Sequence, residues 1–173
     1  TNCEKVELFL NGVSIGVHTV QPLHHLEWKV KFAPGTLVAK GVYKGREVVD
    51  TRETTGAPFA VRLYADRSDL AADGADLAVV RVEIVDAQGR VVPVAGNKVS
   101  FTVRGPGRLI GVGNGDPSCH EPDKGSSRSA FNGLAQALVQ TTNETGTVEI
   151  LAESPGLKPF RLLLSAKAPG TGL

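Results

Sequence analysis

The 173-residue sequence predicts an all-β protein built from two β-sandwich domains. Three observations carry that prediction. Apolar residues recur with period two, not 3.6, through almost every patterned stretch. Turn pairs containing Gly, Asn, Asp or Pro break those stretches at short intervals. No stretch calls for a long helix, and an apolar fraction of 41% is enough for packed cores.

The first domain is assigned to residues 1–56. Val6, Leu8 and Leu10 alternate with Glu7 and Phe9 as one short strand, and Asn11-Gly12 follows as a turn pair suited to positive φ. Ile15 to Val20 returns as the second arm of that hairpin. Leu26, Trp28, Val30 and Phe32 alternate with Glu27, Lys29 and Lys31, which predicts a half-buried strand with Trp28 in the core, closed by Pro34-Gly35. Thr36 to Tyr43 and Arg46 to Arg52 form a further hairpin about Lys44-Gly45. A domain this small is near the lower limit for independent stability and opens within strand-like sequence. We therefore expect a sandwich truncated at its N-terminus, with an exposed or borrowed sheet edge.

Gly56-Ala57-Pro58 marks the boundary, because Pro58 cannot continue a ladder. The second domain, residues 57–168, offers seven strands: Phe59 to Tyr64, Leu77 to Asp86, Lys98 to Val103, Arg108 to Val112, Leu134 to Thr141, Thr147 to Ala152 and Phe160 to Ser165. Their lengths and the turn signals between them fit an immunoglobulin-like sandwich. Val80, Val82 and Ile84, then Val148, Ile150 and Ala152, are its core by alternation. Phe101, Val103, Ala135, Ala137, Val139, Phe160, Leu162 and Leu164 complete the inner faces. Residues 169–173 are expected to form a flexible tail.

Charge narrows the function. A net charge of +1, with acids and bases interspersed, supplies no basic stripe for nucleic acid and no polybasic segment for a membrane surface. Cys3 and Cys119 are too few for a disulfide framework and match no metal or redox spacing, so both are expected as free thiols, Cys3 on a strand and Cys119 in a loop.

The longest stretch without a period runs from Gly111 to Gly133 and gathers Asn114, Asp116, His120, Glu121 and Asp123. Its acids could ligate a hard cation, but the spacing matches neither an EF-hand nor a zinc signature, and no cofactor or metal is assigned. Ser118, His120 and Asp116 are too close in sequence for triad geometry. The preferred reading is Asx turn chemistry about Asn114 and Asp116, with His120 and Glu121 pinning the loop to the sandwich. His18, His24 and His25 are assigned to the surface of a hairpin. Tyr43 and Tyr64 are the aromatic residues left as exposed platforms for carbohydrate.

The run NCEKVELFLNGVSIG, followed by LEWKVKFAPGTLVAKGVYKGREV, resembles the small sandwich that follows the catalytic barrel in bacterial β-galactosidases of glycoside hydrolase family 2. The runs ADRSDLAADGADLAVVRVEIVDAQGRVVP, GPGRLIGVGNGDPSCHE and SAFNGLAQALVQ resemble the further C-terminal, bacterial-Ig-like domain of the same enzymes. The resemblance implies a C-terminal accessory fragment whose partners are the remaining domains of a parent glycosidase, in a periplasmic or secreted enzyme, with oligomerisation open. It assigns no catalytic residue, because the family's two glutamates lie on a barrel that no segment here matches. A carbohydrate-binding module is the alternative, and a cell-surface adhesion domain a third class.

Overall fold

A computed structural model describes residues 1–169, so the tail expected at 169–173 lies almost wholly outside the described residues. The chain divides into two compact units, the first Thr1–Thr54 and the second beginning at Thr55. All regular structure among the described residues is β.

The first unit contains β1 (Lys5–Leu10), β2 (Val13–Thr19), β3 (Thr36–Tyr43) and β4 (Arg46–Glu53) in one antiparallel sheet of order β2-β1-β3-β4. Both hairpins turn through paired positive φ values, Asn11 at 50° with Gly12 at 81° and Lys44 at 50° with Gly45 at 75°. That geometry matches the right-handed twist of the flanking strands. Asn11 also clips the entry to β3: its Oδ1 accepts from the Thr36 amide at 2.8 Å and its Nδ2 donates to the Pro34 carbonyl at 3.0 Å. Only Cys3, Val6 and Leu8 are buried apolar residues here, and all eight residues of β4 are exposed.

Two expectations fail in this unit. Leu26 to Phe32 forms no strand, and Trp28 is half-buried while Val30 and Phe32 are exposed. The alternation is real, but no neighbouring strand offers it a ladder, and a strand without a partner is not stable. Cys3 precedes β1 and does not lie on a strand, although it is buried; both cysteines are free.

The second unit is a two-layer sandwich. One sheet has the order β5-β7-β11-β9, from β5 (Ala60–Ala65), β7 (Leu77–Val85), β11 (Leu134–Thr141) and β9 (Gly107–Gly113). The other has the order β10-β8-β12-β13-β6, from β10 (Ser127–Ser129), β8 (Lys98–Arg104), β12 (Gly146–Glu153), β13 (Phe160–Lys167) and β6 (Asp69–Ala71). The seven expected strands are present with ends shifted by a residue or two. Three-residue β6, which pairs parallel to β13, and β10, which pairs with β8, are too short to show a period. Val80, Val82, Ile84, Ala137, Val139, Val148, Ile150 and Ala152 are fully buried between the layers, while Val103, Phe160 and Leu162 pack at its margin.

Candidate functional site

The chain from Asn114 to Ser126 connects β9 to β10 without regular structure. Asn114 and Asp116 build it as a pair of turns. The Asp116 amide donates to Asn114 Oδ1 at 3.0 Å, and Asp116 Oδ1 accepts from the Ser118 amide at 2.9 Å and the Ser118 hydroxyl at 2.7 Å. These Ser118 bonds, with a smaller contribution from the charge of His120, hold the Asp116 carboxyl below its ordinary value. Because the Ser118 hydroxyl is bonded to the carboxylate itself, no Ser–His–Asp relay is formed. His120 is exposed.

Glu121 makes the attachment to the sandwich. Its two carboxylate oxygens accept from the Ser129 amide at 2.8 Å and the Ser129 hydroxyl at 2.9 Å, with the Lys98 ammonium 3.7 Å away. Hydrogen bonding to Ser129 holds this carboxyl below the usual range as well. Asn114 Nδ2 donates to the Ser129 carbonyl at 3.0 Å, so both ends of the loop converge on β10.

The residue that organises the loop is Arg128, which the sequence reading did not single out. It is 2% exposed. Its guanidinium donates to the Val112 carbonyl at 2.8 Å, to Cys119 Sγ at 3.1 Å and to the Asp123 carboxylate. Burial works to lower its pKa, but the bonds to Asp123 and Cys119 outweigh burial and hold it above the ordinary value. The Val112 amide donates to the Asp123 carbonyl at 2.8 Å. Since β9 is an edge strand, Arg128 and Asp123 together satisfy the outward N–H and C=O of Val112, and the loop closes a sheet edge that would otherwise be open.

Tyr43 and Tyr64 lie in different units, and each is more than a third exposed. Lys44 Nζ stands 5.3 Å from the Tyr43 ring centre. Tyr64 lies between Arg62 and Arg81, whose guanidinium carbons are 5.3 and 5.0 Å from its ring centre. Buried Glu83 fixes both arginines, at 2.6 Å from Arg62 and 3.0 Å from Arg81. Both rings thus have cationic groups at cation–π distance. Among the described residues no three His, Cys, Asp or Glu side chains are grouped to hold a metal ion.

A concave surface that sequence reasoning missed lies in the first unit. Register sets Val6 opposite Gly41 and Gly41 opposite Val48, so these positions share one face of the sheet. Over that face is a cavity of about 460 Å³, lined by Cys3, Val6, Trp28, Ala39, Gly41 and Val48 among others. Trp28 stacks on His18 with ring centres 4.4 Å apart. The lone signal in the sequence was Gly41 within a Val-rich strand: a Cβ there would come within 2.5 Å of Cys3 Sγ.

The family model "Glycoside hydrolase family 2 C-terminal domain 5" matches residues 61–162, and a "Domain of unknown function (DUF4982)" model matches residues 1–49. The chain is 40% identical over 166 residues to the beta-galactosidase BoGH2A of Bacteroides ovatus, covering 95% of this chain and 20% of that protein. It is 32% identical over 176 residues to a beta-glucuronidase of Formosa agariphila, covering 96% of this chain and 17% of that protein. A crystal structure of a glycosyl hydrolase family 2 member from Bacteroides cellulosilyticus superposes with a TM-score of 0.92 at 34% identity, over 96% of this chain and 22% of that one. The chain therefore spans about a fifth of the length of the curated relatives it matches.

Proposed function

The chain belongs to the glycoside hydrolase family 2 C-terminal domain 5 family, and from that premise we propose that it is a non-catalytic accessory region of a β-galactosidase-like glycosidase, periplasmic or secreted, which packs against the remaining domains of its parent and stabilises them. One observation carries the reading: the first unit presents a single sheet whose apolar face is only partly covered, by Leu26 and Trp28 across the cavity. Val48 and Val49 are exposed at the cavity of about 460 Å³, and Val30 and Phe32 are exposed further along the stretch that supplies Leu26 and Trp28; exposed apolar surface concentrated in so small a unit marks a docking face.

The carboxyl groups support the same reading. Glycoside hydrolysis needs a general acid whose pKa is raised, opposite a second carboxylate across a sugar-sized cleft. The carboxyls of Asp73, Asp86, Asp116 and Glu121 are all displaced downward, each by hydrogen bonds that favour the ionised form. These groups hold backbone in place. The test compares the full-length enzyme, the enzyme lacking this region, and the region alone. Loss of the region is expected to lower the melting temperature of the remainder, and the region alone to leave an aryl β-galactoside intact. Turnover by the isolated region, or an unchanged melting temperature, overturns the proposal.

A further inference from the structure

Leu26 to Phe32 has the alternation of a half-buried strand and no strand beside it. Among the described residues, none of its backbone groups takes part in a backbone–backbone hydrogen bond. The stretch nevertheless lies at the cavity: Leu26 and Trp28 form one wall and the sheet residues Val6, Gly41 and Val48 the other. Further along, Phe32 is 82% exposed. Unpaired backbone, alternating side chains and an apolar groove alongside are what remains when one strand is taken from a second sheet layer.

We propose that Leu26–Phe32 is a strand of that second layer, and that its partner is an extended segment of the same longer polypeptide which adds edge to edge and places alternate apolar side chains in the cavity. This rests on the reading that the chain packs against a parent enzyme. Relatives about five times as long as the match supply the chain length for such a segment. A second copy is the poorer occupant, because pairing Leu26–Phe32 with the same stretch of another copy sets Lys29 or Lys31 against a like charge. The groove floor of Val6, Ala39, Gly41 and Val48 selects apolar residues at alternate positions. The intervening Lys29 and Lys31 favour acidic residues opposite them.

Hydrogen exchange resolved to peptides tests the proposal, comparing the full-length polypeptide with the 173-residue chain alone. Amides of Leu26–Phe32 are expected to exchange at least about a hundredfold more slowly in the full-length protein, and Val30→Pro, which removes one amide and blocks the ladder, to abolish that protection. Equal exchange in the two samples overturns the pairing. Protection in the isolated chain that rises with its concentration assigns the partner to a second copy and also overturns it. Protection of β3 and β4 in the full-length protein without protection of Leu26–Phe32 rejects the added strand while leaving docking on the parent intact.

Discussion

At the scale of single residues, the second unit is held by a few polar side chains that satisfy backbone at the ends and edges of strands. Arg128 is the clearest of them. Replacing it by Met removes the donors to Val112, Asp123 and Cys119 while keeping much of its volume, and should cost about 2 kcal/mol in denaturant unfolding, since the Val112 carbonyl loses its partner at a covered edge. Arg128→Lys should recover only part of this, because one ammonium cannot reach three acceptors that a planar guanidinium spans.

Acid sensitivity belongs to the same scale. Asp86 is buried; burial works against its charge, but bonds from the Gly56, Arg90 and Gln88 amides and the Arg90 side chain hold its carboxyl far below the ordinary value. Asp73, Asp116 and Glu121 are displaced the same way. A depressed folded-state pKa means that the unfolded chain binds more protons in acid. The stability these groups contribute is complete above the ordinary carboxyl values of 3.8 and 4.5 and is lost as pH falls through the folded values. A melting temperature that is flat near neutrality and falls steeply below about pH 4.5 is expected, and Asp86→Asn should flatten the acid limb.

What the sequence revealed at this scale was uneven. Asn114 and Asp116 announce their turns, because an Asx side chain bonds backbone two residues away. Arg128 is invisible: in a polar stretch of Ser and Arg it reads as a solvated cation, and its burial depends on Val112 and Asp123 being brought to it by the sandwich.

At the scale of elements, alternation located every strand of more than three residues in the second unit, since each has one face on the core. Ile150→Ala should therefore cost about 3 kcal/mol, the usual result of truncating a fully buried aliphatic residue between two sheets. Gly133→Ala should be severe despite adding one methyl. With Asn132 at a φ of 53° and Gly133 at 76°, the pair forms the turn into β11, and a Cβ at Gly133 would collide with the Val92 carbonyl. Circular dichroism melts of both variants beside the parent chain check these expectations. Asn132-Gly133 has the composition of a hairpin turn, yet it falls within the unpatterned stretch from Gly111 to Gly133, because β10 is too short to announce that the loop has already ended. Leu26 to Phe32 is the opposite case, a strand pattern without a strand. Periodicity reports which face a segment is made to bury, not whether its partner is present.

At the scale of the whole molecule, the two units differ in how far they can stand alone. The second closes its core between two layers, with Val80, Val82, Ile84, Ala137, Val139 and Ile150 fully buried. The first is a single sheet with only Cys3, Val6 and Leu8 as buried apolar residues, and a domain of this size is marginal even with a complete core. The proposed accessory role draws on that deficit together with membership of a family whose relatives are far longer than this match.

Calorimetric titration of the isolated chain into the parent enzyme lacking this region measures that claim most directly. Saturable one-to-one binding, weakened by Val48→Arg on the cavity wall and accompanied by a rise in the melting temperature of the truncated enzyme, is the predicted result. No binding and no change in melting temperature, with the isolated chain instead binding polysaccharide saturably and losing that binding on Tyr43→Ala or Tyr64→Ala, would contradict it.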